Sequence, residues 1–329
     1  MTTHETTAVR IHETGGPEVL RLERLLVGEP GEGQALVRQT AVGLNFIDVY
    51  HRTGLYPVPL PYVLGQEGAG VVEAVGPGVT TIAPGDRVAY ASVAGAYAGH
   101  RLVPADKLLR LPAHVSEESA AALMLKGMTA RYLLRATTSV GPGQTIVVHA
   151  AAGGTGQLLV RWAKHLGAKV VGVVGSEPKA EAVRALGADV VVVGTTSLVK
   201  TALDLTGGRG VDVVYDSVGK DTFDLSLECL RVRGLCVSFG QASGPVPPMP
   251  LAALAKKSLF LTRPSLFAYT ATRAELEETA ADLFSAMEAG AVTPDIGQRL
   301  PLSAVADAHR ALEARRTLGA TVLLPEAER

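Results

Sequence analysis

The second half of the chain alternates short apolar runs with amphipathic stretches. The apolar runs are TIVVH, KVVGVV, VVVV, VDVVYD, LCVSFG and SLFLTR, which begin at residues 145, 169, 190, 211, 235 and 258. The helical patterns between and after them are QLLVRWAKHLG, EPKAEAVRAL, SLVKTALDLT, DTFDLSLECLRV and the stretch Arg273–Ala289. Strands that are apolar on both faces and separated by helices predict a parallel sheet covered on each side. Six such runs match two mononucleotide-binding halves, so we expect a doubly wound α/β domain.

Residues 1 to about 125 follow a different pattern. Ala35–Thr40, Ala69–Val75 and Arg87–Ala91 are predicted strands, and glycine- and proline-rich turns separate them. This spacing is typical of an antiparallel, β-rich domain. The expected fold class is therefore α/β, with a six-stranded parallel sheet and a second, β-rich domain.

Composition excludes several classes of protein. The chain has 329 residues, with Lys+Arg 31 against Asp+Glu 32, so it lacks the basic footprint of a nucleic-acid-binding protein. No apolar run approaches the roughly 20 residues that span a bilayer, and the first residues do not resemble a secretory signal. Cys229 and Cys236 are too few for a disulfide framework. We expect a cytoplasmic protein with neither nucleic acid nor membrane as a partner.

A glycine-rich turn lies between the first apolar run and the first helical pattern. It reads Ala151-Ala152-Gly153-Gly154-Thr155-Gly156 and has the frame of a dinucleotide fingerprint, with alanine in the first glycine position. Gly153 would allow the backbone to approach a pyrophosphate, and Gly156 would allow the helix to pack closely against the strand. The helix N-terminus would supply N–H donors and the positive end of the dipole. The turn therefore predicts nucleotide binding.

The end of the second apolar run bears on which nucleotide is bound. An NAD site places an acidic residue there for the ribose 2′-hydroxyl, whereas this chain has Gly175, Ser176, Glu177 and Lys179. Ser176 and Lys179 are suited to a 2′-phosphate. Glu177 is either the ribose-binding acid or a helix-capping residue. We expect NADPH, with NADH as the less favoured alternative.

The sequence contains no established metal-ligand or nucleophile motif. The eight histidines are scattered, and none is paired with a cysteine or carboxylate at the spacing of a zinc site. His149 ends an apolar run, where a packed imidazole is more frequent than a catalyst. Neither a G-x-S-x-G elbow nor a Walker A sequence occurs.

Motifs along essentially the whole chain resemble the zinc-free quinone oxidoreductase (zeta-crystallin-like) branch of the medium-chain dehydrogenase/reductase superfamily. They are GGPEVL (15–20), GLNFIDVYHRTGLYP (43–57), LGQEGAGVVEAVGPGV (64–79), GDRVAY (85–90), HAAAGGTGQ (149–157), VVYDSVG (213–219), VSFG (237–240) and TRPSL (262–266). The resemblance implies a GroES-like catalytic domain, residues 1–125 with a returning segment 266–329, and a Rossmann domain, residues 126–265. It also implies a homodimer that pairs through an edge strand at 258–266.

The resemblance assigns roles to individual residues. Asn45, Tyr50 and Tyr56 are implied to lie near the nicotinamide as catalytic residues, while Asp48 and Glu67 read as structural hydrogen-bonding or ion-pair groups. The residues implied to bind the cofactor are Asn45, Lys126, Thr129, Gly153, Gly154, Thr155, Gly175, Ser176, Lys179, Ser217, Phe239, Gly240 and Arg315. In zinc-dependent relatives a cysteine takes the place of Asn45 and a histidine that of Gln66, so no zinc is expected.

The resemblance therefore predicts an NADPH-dependent quinone reductase. A quinone accepts hydride readily and needs no metal to polarise it, whereas an alcohol or carbonyl substrate would. Two alternatives remain open. One is an NADPH-dependent alkenal or enone reductase that uses the same cleft, and the other is a non-enzymatic, crystallin-like protein that binds NADPH or RNA.

Overall fold

The computed structural model describes residues 4–326, which fold into two compact units. The first unit contains the chain up to Met128, Thr270–Phe284 and the chain from Pro294 onward. The second unit contains Thr129–Tyr269 and Ser285–Thr293. The expected domain bounds of 1–125, 126–265 and 266–329 remain a prediction.

The first unit is built on two largely antiparallel sheets. Its strands are β1 His4–Ile11, β2 Arg21–Val27, β3 Gln34–Gly43, β4 Tyr62–Val63, β5 Glu67–Val75, β6 Arg87–Ala91, β7 His100–Pro104, β8 Leu109–Arg110, β15 Ile296–Pro301 and β16 Ala320–Leu324. One sheet has the order β2-β1-β4, and the other has the order β15-β16-β3-β5-β6-β8 with β7 beside β3. Valine, leucine and tyrosine side chains from both sheets form its core.

The second unit contains the six-stranded parallel sheet. Its strands are β9 Thr145–Val148, β10 Lys169–Val174, β11 Val190–Val193, β12 Val211–Asp216, β13 Leu230–Ser238 and β14 Phe260–Thr262. Their order is β11-β10-β9-β12-β13-β14, which is the doubly wound order of dinucleotide-binding sheets. The fold class expected from the sequence is confirmed.

Helices follow most of the parallel strands and flank the antiparallel ones. They are α1 Phe46–Thr53, α2 Glu117–Tyr132, α3 Gly154–His165, α4 Glu177–Ala185, α5 Leu198–Leu205, α6 Phe223–Cys229, α7 Ala252–Ala255, α8 Leu266–Tyr269, α9 Arg273–Glu288 and α10 Val305–Glu313. Within residues 4–326, no helix combines the length and apolar character that crossing a membrane requires.

One boundary differs from the sequence pattern. The helical pattern DTFDLSLECLRV extends through Val232, but α6 ends at Cys229 and β13 begins at Leu230. Leu230 pairs with Val211 of β12, so ladder hydrogen bonds and burial in the sheet outweigh the helical periodicity of this segment.

Candidate functional site

Asn45 lies at the junction of β3 and α1 in the first unit. It is the N-cap residue of α1, and its backbone N–H donates to Asp48 Oδ2 at 2.9 Å. Asp48 stands at the N3 position, where a carboxylate accepts from the cap and interacts favourably with the helix dipole. Capping therefore fixes the backbone of Asn45.

The side chain of Asn45 is fixed by Glu67, the first residue of β5. Asn45 Nδ2 donates to Glu67 Oε1 at 2.7 Å, and Lys126 Nζ on α2 donates to the same oxygen at 2.7 Å. The other oxygen, Oε2, accepts from the Leu125 N–H at 2.7 Å. Glu67 is fully buried, and a buried carboxylate is stabilised only when it is paired and hydrogen-bonded in this way. The expected structural role of Glu67 is consistent with these contacts.

Gly43 makes room for this carboxylate. An added Cβ at Gly43 would overlap both Glu67 Oε1 and the carbonyl oxygen of Ala121. The close approach of β3 to Glu67 and α2 therefore requires a residue without a side chain.

Asp48 is also fully buried, and burial raises its pKa to about 7. Its Oδ2 accepts from the Tyr97 hydroxyl at 2.9 Å as well as from the Asn45 N–H. Among the described residues its Oδ1 has no hydrogen-bond partner. The raised pKa follows because these two donors do not offset the desolvation of the charged form.

A chain of polar contacts continues from Tyr97 to the far end of α1. Arg52 Nη1 donates to His309 Nδ1 at 3.1 Å, and the Tyr97 hydroxyl lies 3.2 Å from His309 Nε2. Because a guanidinium only donates, Nδ1 accepts and the proton of the neutral ring is on Nε2. Burial and the neighbouring Arg52 lower the pKa of His309 to about 3. Arg52 also donates to Glu313 through two bonds of 2.9 and 2.6 Å.

Tyr50 and Tyr56 form part of an aromatic cluster at α1. Their ring centroids are 5.1 Å apart, and Phe46 packs against Tyr50 at 5.4 Å. His51 contacts the cluster through Tyr56 and Tyr62 at 6.1 and 5.8 Å, and burial lowers its pKa. The structure thus brings together Tyr50, which lies on α1, and Tyr56, which lies in the segment just after this helix.

In the second unit, the glycine-rich turn connects β9 to α3. Gly153 is the N-cap residue of α3, and Gly154 and Thr155 begin its first turn. A Cβ at Gly156 would overlap the carbonyl oxygen of Ala150, which itself has a φ of 48°. The N–H groups of a first helical turn have no acceptor within the helix and are available to an anion. This geometry fits a dinucleotide pyrophosphate.

The predicted adenosine-end residues follow β10. Gly175 leads into Ser176, the N-cap residue of α4, and the Ser176 side chain makes no capping bond. Lys179 lies in the first turn of α4. Glu177 forms an exposed ion pair with Arg184 at 2.7 Å, so its carboxylate lies beside a cation of its own helix.

Ser217, Phe239 and Gly240 follow β12 and β13 at the same carboxyl edge of the sheet. A Cβ at Gly240 would lie 2.5 Å from the carbonyl oxygen of Ser217, so the two turns touch. The Phe239 N–H donates to the carbonyl of Asp216 at 2.8 Å. Nine of the residues predicted to bind the cofactor therefore lie at one edge of four adjacent strands, β10, β9, β12 and β13. They are Gly153, Gly154, Thr155, Gly175, Ser176, Lys179, Ser217, Phe239 and Gly240.

Two predicted residues lie apart from these groups. Thr129 is buried on α2, one helical turn beyond Lys126. Arg315 is exposed in the segment after α10 and has a φ of 55°.

Sequence reasoning missed a second polar cluster, around Asp216. The Ser226 hydroxyl donates to Asp216 Oδ2 at 2.7 Å and lies 3.0 Å from His149 Nε2, while Thr222 donates to both Asp216 oxygens. Burial lowers the pKa of His149. The interpretation of His149 as a packed imidazole agrees with these contacts. Among residues 4–326, no three His, Cys, Asp or Glu side chains gather as metal ligands.

Comparison with known proteins agrees with this architecture. Residues 31–113 match the alcohol dehydrogenase GroES-like domain, and residues 154–286 match the zinc-binding dehydrogenase domain. A quinone oxidoreductase of Pseudomonas aeruginosa is 49% identical over 94% of this chain and 97% of its own length. The 2-haloacrylate reductase of a Burkholderia species is 46% identical over 97% of this chain and 99% of its own.

A solved structure gives the same result. The crystal structure of Escherichia coli quinone oxidoreductase complexed with NADPH superimposes with a TM-score of 0.94, at 46% identity over 97% of this chain and all of that one. The doubly wound sheet and its glycine-rich turn, together with the GroES-like domain, are the architecture of a dinucleotide-binding oxidoreductase. The chain belongs to the quinone oxidoreductase family of the medium-chain dehydrogenase/reductase superfamily, and the predicted family is confirmed.

Proposed function

We propose that this protein is an NADPH-dependent quinone reductase. The observation that carries the proposal is the glycine turn at the carboxyl end of β9, set in a doubly wound sheet. Relatives that share nearly half of its residues over almost their full length are quinone oxidoreductases, and one of them was solved with NADPH.

Gly153, Gly154 and Thr155 would hold the cofactor's pyrophosphate through backbone N–H groups. Ser176 and Lys179 would hold the 2′-phosphate with a hydroxyl and an ammonium, and the family resemblance adds Arg315. The Glu177 carboxylate forms an exposed ion pair with Arg184 of its own helix, an arrangement that is compatible with NADPH as the cofactor. Gly175, Ser217, Phe239 and Gly240 would line the same edge of the sheet.

When bound, NADPH supplies a hydride from the nicotinamide ring. The chain's part is to orient the ring and the acceptor and to exclude water. Asn45 and Lys126 are held rigidly by Glu67, and Thr129 follows on the same helix. Tyr50 and Tyr56 provide flat, apolar faces suited to a planar quinone, and their hydroxyls are candidate proton donors alongside water.

Catalysis without zinc is part of the proposal. Asn45 donates through its amide nitrogen to Glu67, and Gln66 donates through its amide nitrogen to the Tyr62 hydroxyl at 3.2 Å. Amide nitrogens engaged as donors are not zinc ligands, which are imidazole, thiolate or carboxylate groups.

Absorbance at 340 nm tests the function directly. We expect purified protein to oxidise NADPH rapidly with quinones, to act more slowly with NADH, and to be insensitive to a chelator. Loss of activity on chelation would contradict the zinc-free site. Absence of quinone turnover would contradict the function itself.

One observation favours a second candidate function, reduction of an activated C=C bond. A relative with 46% identity is a 2-haloacrylate reductase, and its named substrate has a C=C bond conjugated to a carboxylate. The same arrangement of hydride donor and planar acceptor would serve enones or alkenals. Product analysis with quinones, alkenals and 2-haloacrylates in parallel separates the two candidates.

We further propose a cytoplasmic homodimer that pairs through β14. This strand ends the parallel sheet, and Phe260 and Leu261 are 60% and 39% exposed. Light scattering should give twice the chain mass for the wild type and a monomer for Phe260→Lys. Leu26→Lys on β2, at an apolar site that is more exposed than Phe260, is the control and should leave the mass unchanged.

A further inference from the structure

Glu67 stands between two groups that the proposed function places near the nicotinamide. Its Oε1 accepts hydrogen bonds from both the Asn45 amide and the Lys126 ammonium, each at 2.7 Å. Its Oε2 accepts a hydrogen bond from the backbone N–H of Leu125, which belongs to the same helix as Lys126. A single buried carboxylate on β5 is thus hydrogen-bonded both to the N-cap residue of α1 and to α2.

These bonds leave Asn45 and Lys126 little freedom. The backbone of Asn45 is held by Asp48 and its side-chain amide by Glu67, which determines the direction in which the amide nitrogen points. The Lys126 ammonium is a point charge on a flexible stem, and only 8% of its side chain is exposed. Without Glu67 this charge would be buried and uncompensated.

We propose that Glu67 is a positioning residue of the reaction: it fixes the Asn45 amide and the Lys126 ammonium in one arrangement against the nicotinamide end of the cofactor. The inference rests on the proposed function. It extends the function to a residue that touches neither hydride donor nor acceptor and acts only through its two partners.

Glu67→Gln tests the inference with almost no change in volume. A carboxylate is acceptor-only at both oxygens, whereas an amide has one oxygen and one donating nitrogen. In either orientation, the amide nitrogen faces a donor: Leu125 N–H on one side, or Asn45 and Lys126 on the other. We expect kcat to fall about 10- to 100-fold because misplaced groups cost catalysis steeply.

A ligand that occupies only the adenosine end of the cofactor site distinguishes a loss of positioning at the nicotinamide end from general damage to the fold. Adenosine 2′,5′-bisphosphate has no nicotinamide, so its Kd should stay within about twofold in Glu67→Gln if only the nicotinamide end is disturbed. The fluorescence of bound NADPH, which reports the surroundings of the reduced ring, should change in the same variant. Glu73→Gln is the matched control: the residue is on the same strand but exposed, and it should alter none of the three readouts.

Two further variants keep the test decisive if Glu67→Gln folds poorly. Glu67→Asp keeps the charge and should recover part of kcat. Glu67→Gln/Lys126→Met removes the uncompensated cation and should regain thermal stability without regaining kcat. Recovery of kcat together with stability in this double variant would show a merely structural role and overturn the inference.

A kcat within twofold of wild type in Glu67→Gln would also overturn it. Failure of the proposed function gives a different result, because the wild type would then reduce no quinone at all. In that case the fluorescence of bound NADPH still distinguishes Glu67→Gln from Glu73→Gln, and identical spectra would refute the positioning role.

Discussion

Asp48 and His309 are buried in one hydrogen-bonded chain through Tyr97, and burial shifts their pKa values in opposite senses. The pKa of Asp48 rises from 3.8 to about 7, and that of His309 falls from 6.5 to about 3. Each shift disfavours the charged form because neither site solvates it adequately. Both side chains are therefore most stable when neutral.

The two groups make opposite contributions to stability as the pH changes. Between pH ~4 and ~7 the folded protein retains the Asp48 proton that the unfolded chain loses, so this contribution falls as pH rises. Between pH ~3 and ~6.5 the unfolded chain binds a proton at His309 that the folded protein does not, so this contribution rises. The Asp48 contribution is at most on the order of 4 kcal/mol.

Single substitutions should reveal how each group changes the free energy of unfolding with pH. In His309→Gln, which keeps an acceptor for Arg52 and a donor for Tyr97, the Asp48 contribution remains and stability should fall more steeply than in wild type from pH ~4 to ~7. In Asp48→Asn the His309 contribution remains, and stability should rise over that range. Melting midpoints across a pH series check this, and parallel curves for wild type and both variants would contradict it.

Gly43 should not tolerate even a methyl group. In Gly43→Ala the added Cβ would meet the Ala121 carbonyl and the Glu67 carboxylate, and overpacking typically costs about 1–3 kcal/mol. Urea unfolding should show this loss, accompanied by lower quinone reductase activity because Asn45 loses its anchor. Gly28→Ala, where the Cβ meets nothing within 4 Å, is the control and should leave both unchanged.

At the scale of elements, the parallel sheet was predictable because its strands are buried on both faces. TIVV of β9 and VDVVYD of β12 are wholly buried, and an apolar run bounded by turn residues indicates such a strand without knowledge of its neighbours. The boundary at Leu230 was not predictable in this way. Its apolar positions suit both periodicities, and pairing with Val211 decides the outcome.

The buried polar chain lay beyond sequence reasoning for a different reason. Arg52 and His309 are 257 positions apart, and no periodicity connects residues at that distance. Asp48 and Glu67 were interpreted as hydrogen-bonding or ion-pair groups. Their partners depend on how α1 and β5 pack against α2, which carries Lys126, and against the loop before β7, which carries Tyr97.

The approach of α3 to the turn after β9 gives a prediction at this scale. Gly156→Ala would push the helix away from the Ala150 carbonyl, moving the N–H groups that we propose bind the pyrophosphate. We expect at least about tenfold weaker NADPH binding, because charge-assisted hydrogen bonds contribute about 1.5–3 kcal/mol. Titration of NADPH fluorescence measures this affinity. Gly141→Ala is the control, because the added Cβ would lie 4.0 Å from its nearest neighbour, the Leu166 carbonyl oxygen, and this variant should bind NADPH normally.

At the scale of the whole molecule, ligand binding and folding are linked. A nucleotide that binds only the folded state stabilises it by about 2.7 kcal/mol at a concentration of 100 Kd. The melting midpoint therefore reports which nucleotide the protein prefers without any assumption about its substrate. This makes it an independent test of the cofactor that we propose.

NADPH should raise the melting midpoint more than NADH at equal concentration, and Lys179→Ala should remove most of that difference. Loss of an ammonium that contacts the 2′-phosphate would weaken NADPH about tenfold, which is about 1.4 kcal/mol of ligand stabilisation, while NADH is unaffected. Lys200→Ala removes a highly exposed lysine of the same unit, whose partner is Asp204, and should preserve the preference for NADPH. A larger midpoint rise with NADH than with NADPH in the wild type would assign Glu177, rather than Ser176 and Lys179, as the group that determines the cofactor, and equal midpoints would contradict the proposed preference for NADPH.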